Sequence, residues 1–259
     1  MAKDQDRGVV RSVERALSLL KLFDFDHKTL SLNELMAGSG LPKTTVVRLI
    51  ASLETEGFLI KSPSSAGYKL GMTLFRLGNI VGADMELSVV SMPVLQELAQ
   101  KTHETVEVNI FQEDARVCIA KIESDQALRH VVPVGRMLPL HRGASGKMLL
   151  AYQDETTRKR ILETNAESLG KTLQEAEDEL TQIRKQGYSV SQNDRVQGSS
   201  AVSAPIFDRS GKVIAGFTIS GASVRFTPEK IKDIVALTRE GAGRISQEMG
   251  FESRERRNG

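Results

Sequence analysis

LPKTTVVRLIASLETEGFLI, residues 41–60, predicts an amphipathic helix that begins at a proline and ends before a glycine. Pro42 suits the first position of a helix, because the N–H that proline lacks would be unpaired there in any case. Gly57 permits a turn into the apolar residues 58–60. Apolar residues at helical spacing form the predicted buried side: Val46, Leu49, Ile50 and Leu53.

The opposite side of this helix carries hydroxyl groups and cations. At roughly 100° per residue, Thr44, Arg48 and Thr55 face away from the apolar side, and Lys43 and Thr45 flank them in the first turn. Hydroxyls suit phosphates and base edges, arginine can bond guanine through a bidentate fork, and a helix N-terminus attracts phosphate. The pattern favours DNA recognition; the alternative is an ordinary solvated face on a small helical subdomain.

Two further helices are predicted ahead of this one. Residues 12–25, SVERALSLLKLFDF, place their apolar side chains on one helical stripe. In SLNELMAGSG, residues 31–40, Ser31 and Glu34 have the spacing of a capping box. Gly38 and Gly40 then end this second helix with a sharp change of direction.

A β-hairpin is predicted after the third helix. FLIKS (58–62) and GYKLG (67–71) are extended runs joined by the turn-rich PSSA. Three helices with a glycine turn between the second and the third, followed by a hairpin, predict a winged helix-turn-helix. In such a domain Tyr68 and Lys69 would brace the wing on the DNA backbone.

The composition is that of a globular protein and excludes several classes. With 259 residues, 40% hydrophobic and 26% charged, the chain is long enough for two domains. No apolar run reaches the ~18 residues of a spanning helix and no secretory signal is present, so we expect a cytoplasmic protein without membrane contact. The net charge of +2 argues neither for nor against nucleic acid. A lone Cys118 and four histidines without ligand spacing predict no disulfide, no metal site and no cofactor.

Residues 72–87, MTLFRLGNIVGADMEL, predict a helix that links two domains. Four apolar residues recur at helical spacing: Leu74, Leu77, Val81 and Met85. Because helix-turn-helix proteins usually present two recognition helices about one DNA turn apart, this helix is a natural dimer seam. A plain linker helix is the alternative.

From residue 88 onward, helical and extended patterns alternate. Extended runs are predicted at 104–112, 116–124, 128–134, 200–208 and 212–221, and helices at 89–102, 144–153, 154–163, 172–187 and 227–249. Strands joined by short turns favour an antiparallel sheet, so the predicted fold class is α+β.

The segment HRGASGKM, residues 141–148, does not match a catalytic motif. A P-loop would need glycine in place of His141 and a Ser or Thr in place of Met148, and a G-x-S-x-G elbow would need one more residue. Ser145 as a nucleophile beside His141 remains formally open. Gly143 and Ala144 lead into a helix whose free N–H groups attract anions, which favours a carboxylate site.

Several motifs together resemble the IclR family of bacterial transcriptional regulators. They are RSVERALSLLKLF, LSLNELMAGSGLPKTTVVRLIASLETEGFL, YKLG, LPLHRGASGKMLLA and SAPIFDRSGKVIAGFTISG. The resemblance implies a winged helix-turn-helix domain at 8–71, a linker helix at 72–87, a GAF-like α+β effector-binding domain at 88–250 and a flexible tail at 251–259. It also implies a DNA contact by Arg11, just before the first helix.

The same resemblance implies one ligand pocket in the C-terminal domain. The pocket positions that it assigns are Gly143, Ala144, Asp194, Ser199, Ala201, Thr218 and Ser220. Relatives often carry cysteine at the position of Ala201, which leaves the identity of the bound acid open.

We therefore expect a homodimeric or tetrameric regulator that binds palindromic or repeated operator DNA and represses transcription. A small organic acid would act through different affinities for two arrangements of the DNA readers, typically worth ~1–3 kcal/mol. We do not expect an enzyme. The alternatives are a small-molecule enzyme whose N-terminal helices serve assembly, and a DNA-architecture protein without an effector.

Overall fold

The computed structural model describes residues 9–63, 66–83, 86–129 and 132–252, and the chain divides into two compact units, Met1–Asp84 and Met85–Gly259. The helices are α1 (Arg11–Leu20), α2 (Leu32–Ser39), α3 (Lys43–Thr55), α4 (Met72–Ala83), α5 (Glu86–Thr102), α6 (Ala144–Ala151), α7 (Glu155–Thr164), α8 (Leu173–Gln186) and α9 (Pro228–Glu248). The strands are β1 (Leu30–Ser31), β2 (Leu59–Lys61), β3 (Gly67–Leu70), β4 (Thr105–Gln112), β5 (Ala115–Ile122), β6 (Met137–Pro139), β7 (Ser189–Gln192), β8 (Ser199–Phe207) and β9 (Val213–Ala222).

In the N-terminal unit, α1, α2 and α3 pack around one apolar core. Its fully or nearly fully buried members include Leu19, Leu35, Val46, Ile50 and Leu59. Three short strands form an antiparallel sheet in the order β1-β3-β2, which is the wing. The predicted winged helix-turn-helix is therefore confirmed, and β1 is an addition that the sequence pattern did not indicate.

The turn between α2 and α3 follows from local chemistry. Glu34 N donates to Ser31 Oγ at 3.3 Å and Ser31 N donates to Glu34 Oε2 at 2.7 Å, which is the predicted capping box. Gly40 ends α2 with a left-handed φ of 65°, a conformation that costs glycine little. Pro42 occupies the N-cap position with a ψ of 146°, so α3 begins one residue later than predicted, at Lys43.

The first helix is shorter than its apolar pattern predicts, because α1 ends at Leu20. Asp24 Oδ1 accepts hydrogen bonds from the backbone N–H groups of Asp26 and His27 at 2.8 and 2.6 Å. Such side-chain to backbone bonds stabilise a turn in competition with the helix.

The C-terminal unit is built on a sheet of six strands in the order β6-β5-β4-β9-β8-β7, in which all neighbours are antiparallel. One face is apolar and packs against α5 and α9, with Phe217, Ile219 and Val202 among its fully buried residues. Helix α6 contacts β4, β5, β7, β8 and β9. The predicted antiparallel α+β fold is confirmed.

The extended run predicted at 128–134 is wrong for the residues that the structure describes there. Residues 128–129 and 132–134 form no strand, and His130 and Val131 lie outside the described residues. Val132 is buried as a packing residue, whereas the edge strand that pairs with β5 is β6, from Met137 to Pro139. Strand β7 was also missed.

No helix in the described part of the chain is both long and apolar enough to span a membrane.

Candidate functional site

The outward side of α3 presents cations and hydroxyls to solvent. Lys43, Thr44 and Arg48 are exposed and Thr45 is half-buried. The first turn of α3 contains no acidic residue, and neither Lys43 nor Arg48 is paired with an acid of the described residues. The positive charges and the N-terminal end of the helix dipole are therefore available to a phosphate.

The other predicted DNA-binding residues lie on different elements of the same unit. Arg11 is the exposed first residue of α1. Tyr68 and Lys69 are half-buried on β3, where Tyr68 lies opposite Lys61 and Leu30 and packs against the apolar core. Tyr68 thus fixes the wing to the helices while Lys69 stays partly accessible.

In the C-terminal unit, the sheet has a polar face opposite its apolar one. Glu107 lies opposite Thr218, which in turn lies opposite Ser203, and Ser220 lies opposite Ala201. Residues directly opposed on adjacent strands share a face, so this row forms one continuous polar surface. It faces the beginning of α6.

A small cavity of about 30 Å³ lies between this polar face and α6. We call it the sheet cavity. Its lining consists of Glu107, Arg116, Gly143, Ala144, Ser145, Ser191, Arg195, Val196, Ser199, Ala201, Thr218 and Ser220. Six of the seven predicted effector positions meet here, and the exception is Asp194. The space would hold about two water molecules at ~10–15 Å³ each.

The backbone at the start of α6 is already hydrogen-bonded from within the chain. Gly143 is the N-cap residue with a φ of 74°, which favours glycine. Its N–H donates to Asp194 Oδ2 at 3.0 Å, and the N–H of Ala144 donates to Ser191 Oγ at 3.0 Å. An incoming carboxylate could take these two amides only by displacing Asp194 and Ser191.

Asp194 is held behind the sheet cavity by opposite charge. Its Oδ2 lies 2.7 Å from Lys147 Nζ, and its Oδ1 lies 3.7 Å from Arg142 Nε. Burial would raise the pKa of Asp194, but the hydrogen bonds from Lys147 and from the Gly143 amide outweigh it and hold the pKa below its usual value. Asp194 is therefore an ionised internal partner of α6.

Six residues of the sheet cavity were not predicted as ligand positions: Glu107, Arg116, Ser145, Ser191, Arg195 and Val196. A signal existed for Glu107, because an acid between two valines of a strand would be buried on the polar face of a two-sided sheet. Arg116 and Arg195 gave no such signal, since arginines at strand and loop ends are usually solvated.

Two guanidinium groups give the sheet cavity a positive character. Arg116 is only 4% exposed, and its Nη1 donates to Asn109 Oδ1 at 3.1 Å and to Glu107 Oε1 at 3.3 Å. Burial, and then the like charge of Arg116, lowers the pKa of Arg195 to about 10. Arg195 therefore remains charged at neutral pH.

Ser145 and His141 do not form a nucleophile and base pair. Ser145 Oγ is buried and has no hydrogen-bond partner among the described residues, whereas His141 Nε2 lies 3.0 Å from Ser168 Oγ. Burial, and then the charge of Arg142, lowers the pKa of His141. The geometry gives no support to the alternative of an enzyme that uses this pair.

Comparisons with known proteins agree with both units. The model of the IclR helix-turn-helix domain matches residues 12–63, and that of the bacterial transcriptional regulator IclR C-terminal domain matches residues 81–247. The HTH-type transcriptional regulator KdgR of Escherichia coli is 32% identical, over 96% of this chain and 96% of its own length. The HTH-type transcriptional repressor AllR of the same organism is 27% identical, over 94% of this chain and 92% of its own.

A solved structure gives the same fold. An IclR homologue from Microbacterium hydrocarbonoxydans in complex with 4-hydroxybenzoate superposes with a TM-score of 0.77, at 20% identity, over 92% of this chain and 99% of its own. The family and relative names are those of transcriptional regulators. The chain therefore belongs to the IclR family of bacterial transcriptional regulators, with a helix-turn-helix DNA-binding domain and an IclR C-terminal domain.

Proposed function

We propose that this regulator is a cytoplasmic repressor. Its affinity for a palindromic or repeated operator would be controlled by a small organic acid bound in the sheet cavity. The observation that carries the proposal is the sheet cavity itself, a partly enclosed space lined by two arginines, one glutamate and several hydroxyls. Buried polar groups are normally satisfied, and a ligand can supply the missing partners. The relative AllR, a transcriptional repressor, supports repression as the output.

For the DNA side, we assign base contacts to Arg48 and Thr44 and phosphate contacts to Lys43, Thr45 and the start of α3. Phosphate contacts supply most of the affinity and base contacts supply the sequence preference. Arg11 and the wing residues Tyr68 and Lys69 would touch the backbone on either side of the groove. The exposure of the α3 cations supports this assignment.

We further propose that the chain acts as a homodimer, which can pair into a tetramer. On α4 the exposed large apolar residues are Met72, Phe75, Leu77 and Ile80. Apolar side chains concentrated on one helix favour burial against another protein surface. Of the predicted seam, Leu74 is half-buried, while Met85 and the side chain of Val81 lie outside the described residues.

The functional boundaries that we propose are 8–71 for the DNA-binding domain, 72–87 for the linker and 88–250 for the effector-binding domain, with a tail at 251–259. Helix α5 begins at Glu86, two residues before the proposed start of the effector domain. Residues 253–259 of the tail lie outside the described residues.

For the effector, we assign hydrogen bonds to Ser199, Thr218 and Ser220, while Ala201 leaves room beside them, and Asp194 shapes the α6 loop from behind. Gly143 and Ala144 form the wall closest to the helix dipole. The complex of the Microbacterium homologue with 4-hydroxybenzoate, an aromatic hydroxy acid, supports the class of ligand.

Operator binding tests the proposal. Fluorescence anisotropy with a duplex from the promoter of the chain's own operon would be recorded at two salt concentrations, with and without each of a panel of organic acids. We expect tight, salt-dependent binding that at least one acid weakens, typically by about 5- to 150-fold. If no acid changes either the operator affinity or the melting temperature, effector control is refuted; if no duplex binds, operator binding is refuted.

A further inference from the structure

The sheet cavity contains unpaired hydrogen-bonding atoms in a specific place. Among the described residues, the buried side-chain nitrogen and oxygen atoms without a hydrogen-bond partner are Arg116 Nε, His141 Nδ1 and Ser145 Oγ. Two of these three, Arg116 Nε and Ser145 Oγ, belong to residues that line the sheet cavity. An unpaired buried donor is costly, so two such groups on residues that line one cavity indicate a ligand acceptor there.

We propose that Arg116 is the carboxylate anchor of the sheet cavity and that the ligand is a compact hydroxy monocarboxylate. This inference rests on the proposed function, which it sharpens. The amides at the start of α6, where a carboxylate would ordinarily be sought, already bind Asp194 and Ser191 at 3.0 Å each. The guanidinium of Arg116 is the charged donor with unused capacity.

The pairing of Arg116 with Glu107 leaves hydrogen-bond donors of the guanidinium unused. Their single hydrogen bond, from Nη1 to Oε1, is 3.3 Å long, whereas charge-assisted bonds are usually about 2.7–2.9 Å. A bidentate carboxylate approaching Nε would complete the fork that Glu107 leaves incomplete. Ser145 Oγ can donate a further hydrogen bond to the same carboxylate.

Glu107 explains why the ligand should carry a hydroxyl. Both of its hydrogen bonds, from Arg116 Nη1 and Asn109 Nδ2, end on Oε1. Oε2 takes part in neither of these bonds, and Glu107 is 4% exposed. An ionised carboxylate only accepts hydrogen bonds, so it complements an O–H group next to the ligand carboxylate.

The charge of the lining limits the ligand to a single carboxylate. Arg116 and Arg195 carry two positive charges and Glu107 carries one negative charge, a net charge of +1 for the sheet cavity. A monoanion neutralises this site, whereas a dianion would leave a buried negative charge unpaired. The volume of about 30 Å³ restricts the ligand to the smallest acids and requires the lining to move apart as the ligand binds.

The inference is tested with four probes: glycerate, propionate without a hydroxyl, malate with a second carboxylate, and neutral glycerol. Calorimetric titration and thermal shift would be recorded on the full-length chain. We expect glycerate to bind at least about ten-fold more tightly than each of the other three. Equal or tighter binding of propionate, malate or glycerol would overturn the inference.

The variant test removes the anchor without leaving an orphaned charge. Arg116→Gln combined with Glu107→Gln keeps the buried pair neutral and similar in volume. The matched control is Arg225→Gln with Glu104→Gln, since Arg225 Nε bonds the buried Glu104 at 2.6 Å away from the lining of the sheet cavity. We expect the first pair to weaken glycerate binding at least about ten-fold and the control pair to change it less than about two-fold.

The outcomes separate the two proposals. If glycerate binds the parent and releases operator, but the Arg116 and Glu107 double variant binds it equally well, the anchor is elsewhere while effector control stands. Should the double variant not fold, Arg116→Lys provides the same test. Lysine keeps the positive charge but lacks the two parallel N–H donors of the guanidinium. Unchanged affinity of this variant for glycerate would again overturn the assignment of Arg116 as the anchor. If no probe and no other acid binds the parent, the proposed function itself fails.

Discussion

The outward side of α3 and the sheet cavity are two candidate sites built in opposite ways. The α3 site takes its cations and hydroxyls from six consecutive residues, 43–48, and most of them are exposed. The sheet cavity draws on residues from Glu107 to Ser220, contributed by β4, β5, β7, β8, β9, the loop between β7 and β8, and the start of α6. A site on one helix needs only the helical repeat, whereas the cavity needs the register of a whole sheet.

The two sites also differ in how strongly a substitution affects folding stability. Exposed side chains on α3 can be changed with little effect on folding, because they make few contacts. The sheet cavity shares its strands with the apolar core on the other face, so the same strand carries both function and stability. Substitutions should therefore separate binding from stability on α3 and couple them in the C-terminal unit.

The largest effect that we expect is on the apolar face behind the sheet cavity. Phe217→Ala should lower the free energy of unfolding of the C-terminal unit by about 3–5 kcal/mol, because Phe217 is fully buried and its loss leaves a cavity. Urea unfolding followed by circular dichroism measures this. Val224→Ala, at a residue that is 76% exposed, is the control and should change stability by less than about 0.5 kcal/mol. Equal effects would contradict the two-faced sheet.

Asp194→Asn should destabilise the C-terminal unit by about 1–3 kcal/mol at neutral pH, because Lys147 loses a charged partner at 2.7 Å. The folded-state pKa of Asp194 lies below 3.8, so the ionised carboxylate stabilises the fold above that pH. The difference between parent and variant should shrink as the pH falls below about 3.8 through the folded-state pKa. Glu163→Gln, in an exposed pair with Lys159, is the control.

A difference that persists unchanged at lower pH would show that the charge of Asp194 is not what stabilises the α6 loop. A control variant as unstable as Asp194→Asn would contradict the special role of the internal carboxylate.

On α3, Arg48→Ala should weaken operator binding by about 1–3 kcal/mol and leave the unfolding transition unchanged, because Arg48 is exposed and is assigned a bidentate base contact. Anisotropy titrations at two salt concentrations measure the affinity. Arg239→Ala removes the same charge from an exposed position on α9 and is the matched control. Operator binding by Arg48→Ala as tight as that of the control would refute the assignment.

The smallest effect concerns the capping box that precedes α3. Ser31→Ala should lower the stability of the N-terminal unit by about 1 kcal/mol, because Glu34 N loses its acceptor at 3.3 Å and Glu34 loses its partner. Thermal unfolding followed by circular dichroism measures the change. Ser18→Ala, at an exposed site inside α1, should have no comparable effect.

Much of the fold could be predicted because its signals are local. The capping box of Ser31 and Glu34, the glycine turn at Gly40 and the Thr227 and Pro228 start of α9 all depend on neighbours within a few residues, and all were found. The strand expected at 128–134 failed because an apolar extended run can fill a core as well as join a sheet. Which segment pairs with β5 is settled by distant partners.

The sheet cavity likewise could be predicted only in part from the sequence. Gly143, Ala144, Ser199, Ala201, Thr218 and Ser220 were predicted through the family resemblance and meet around one space, but Asp194 lies behind it and bonds the amide that an acid was expected to take. The position of Glu107 between two valines gave a signal, but Arg116 and its pairing with Glu107 could not be identified in advance, because a charged residue in a strand gives no sign of which charge will lie beside it.

The sequence alone determined the two-domain order, the winged helix-turn-helix and the chemistry that α3 presents, because helical periodicity and capping act within one or two turns of chain. Only the tertiary structure decided which side chains line the sheet cavity, which backbone amides are already bonded and which guanidinium is left with an unpaired donor. Those features depend on strand register and on close packing between residues up to about a hundred positions apart, and no local pattern encodes such distances.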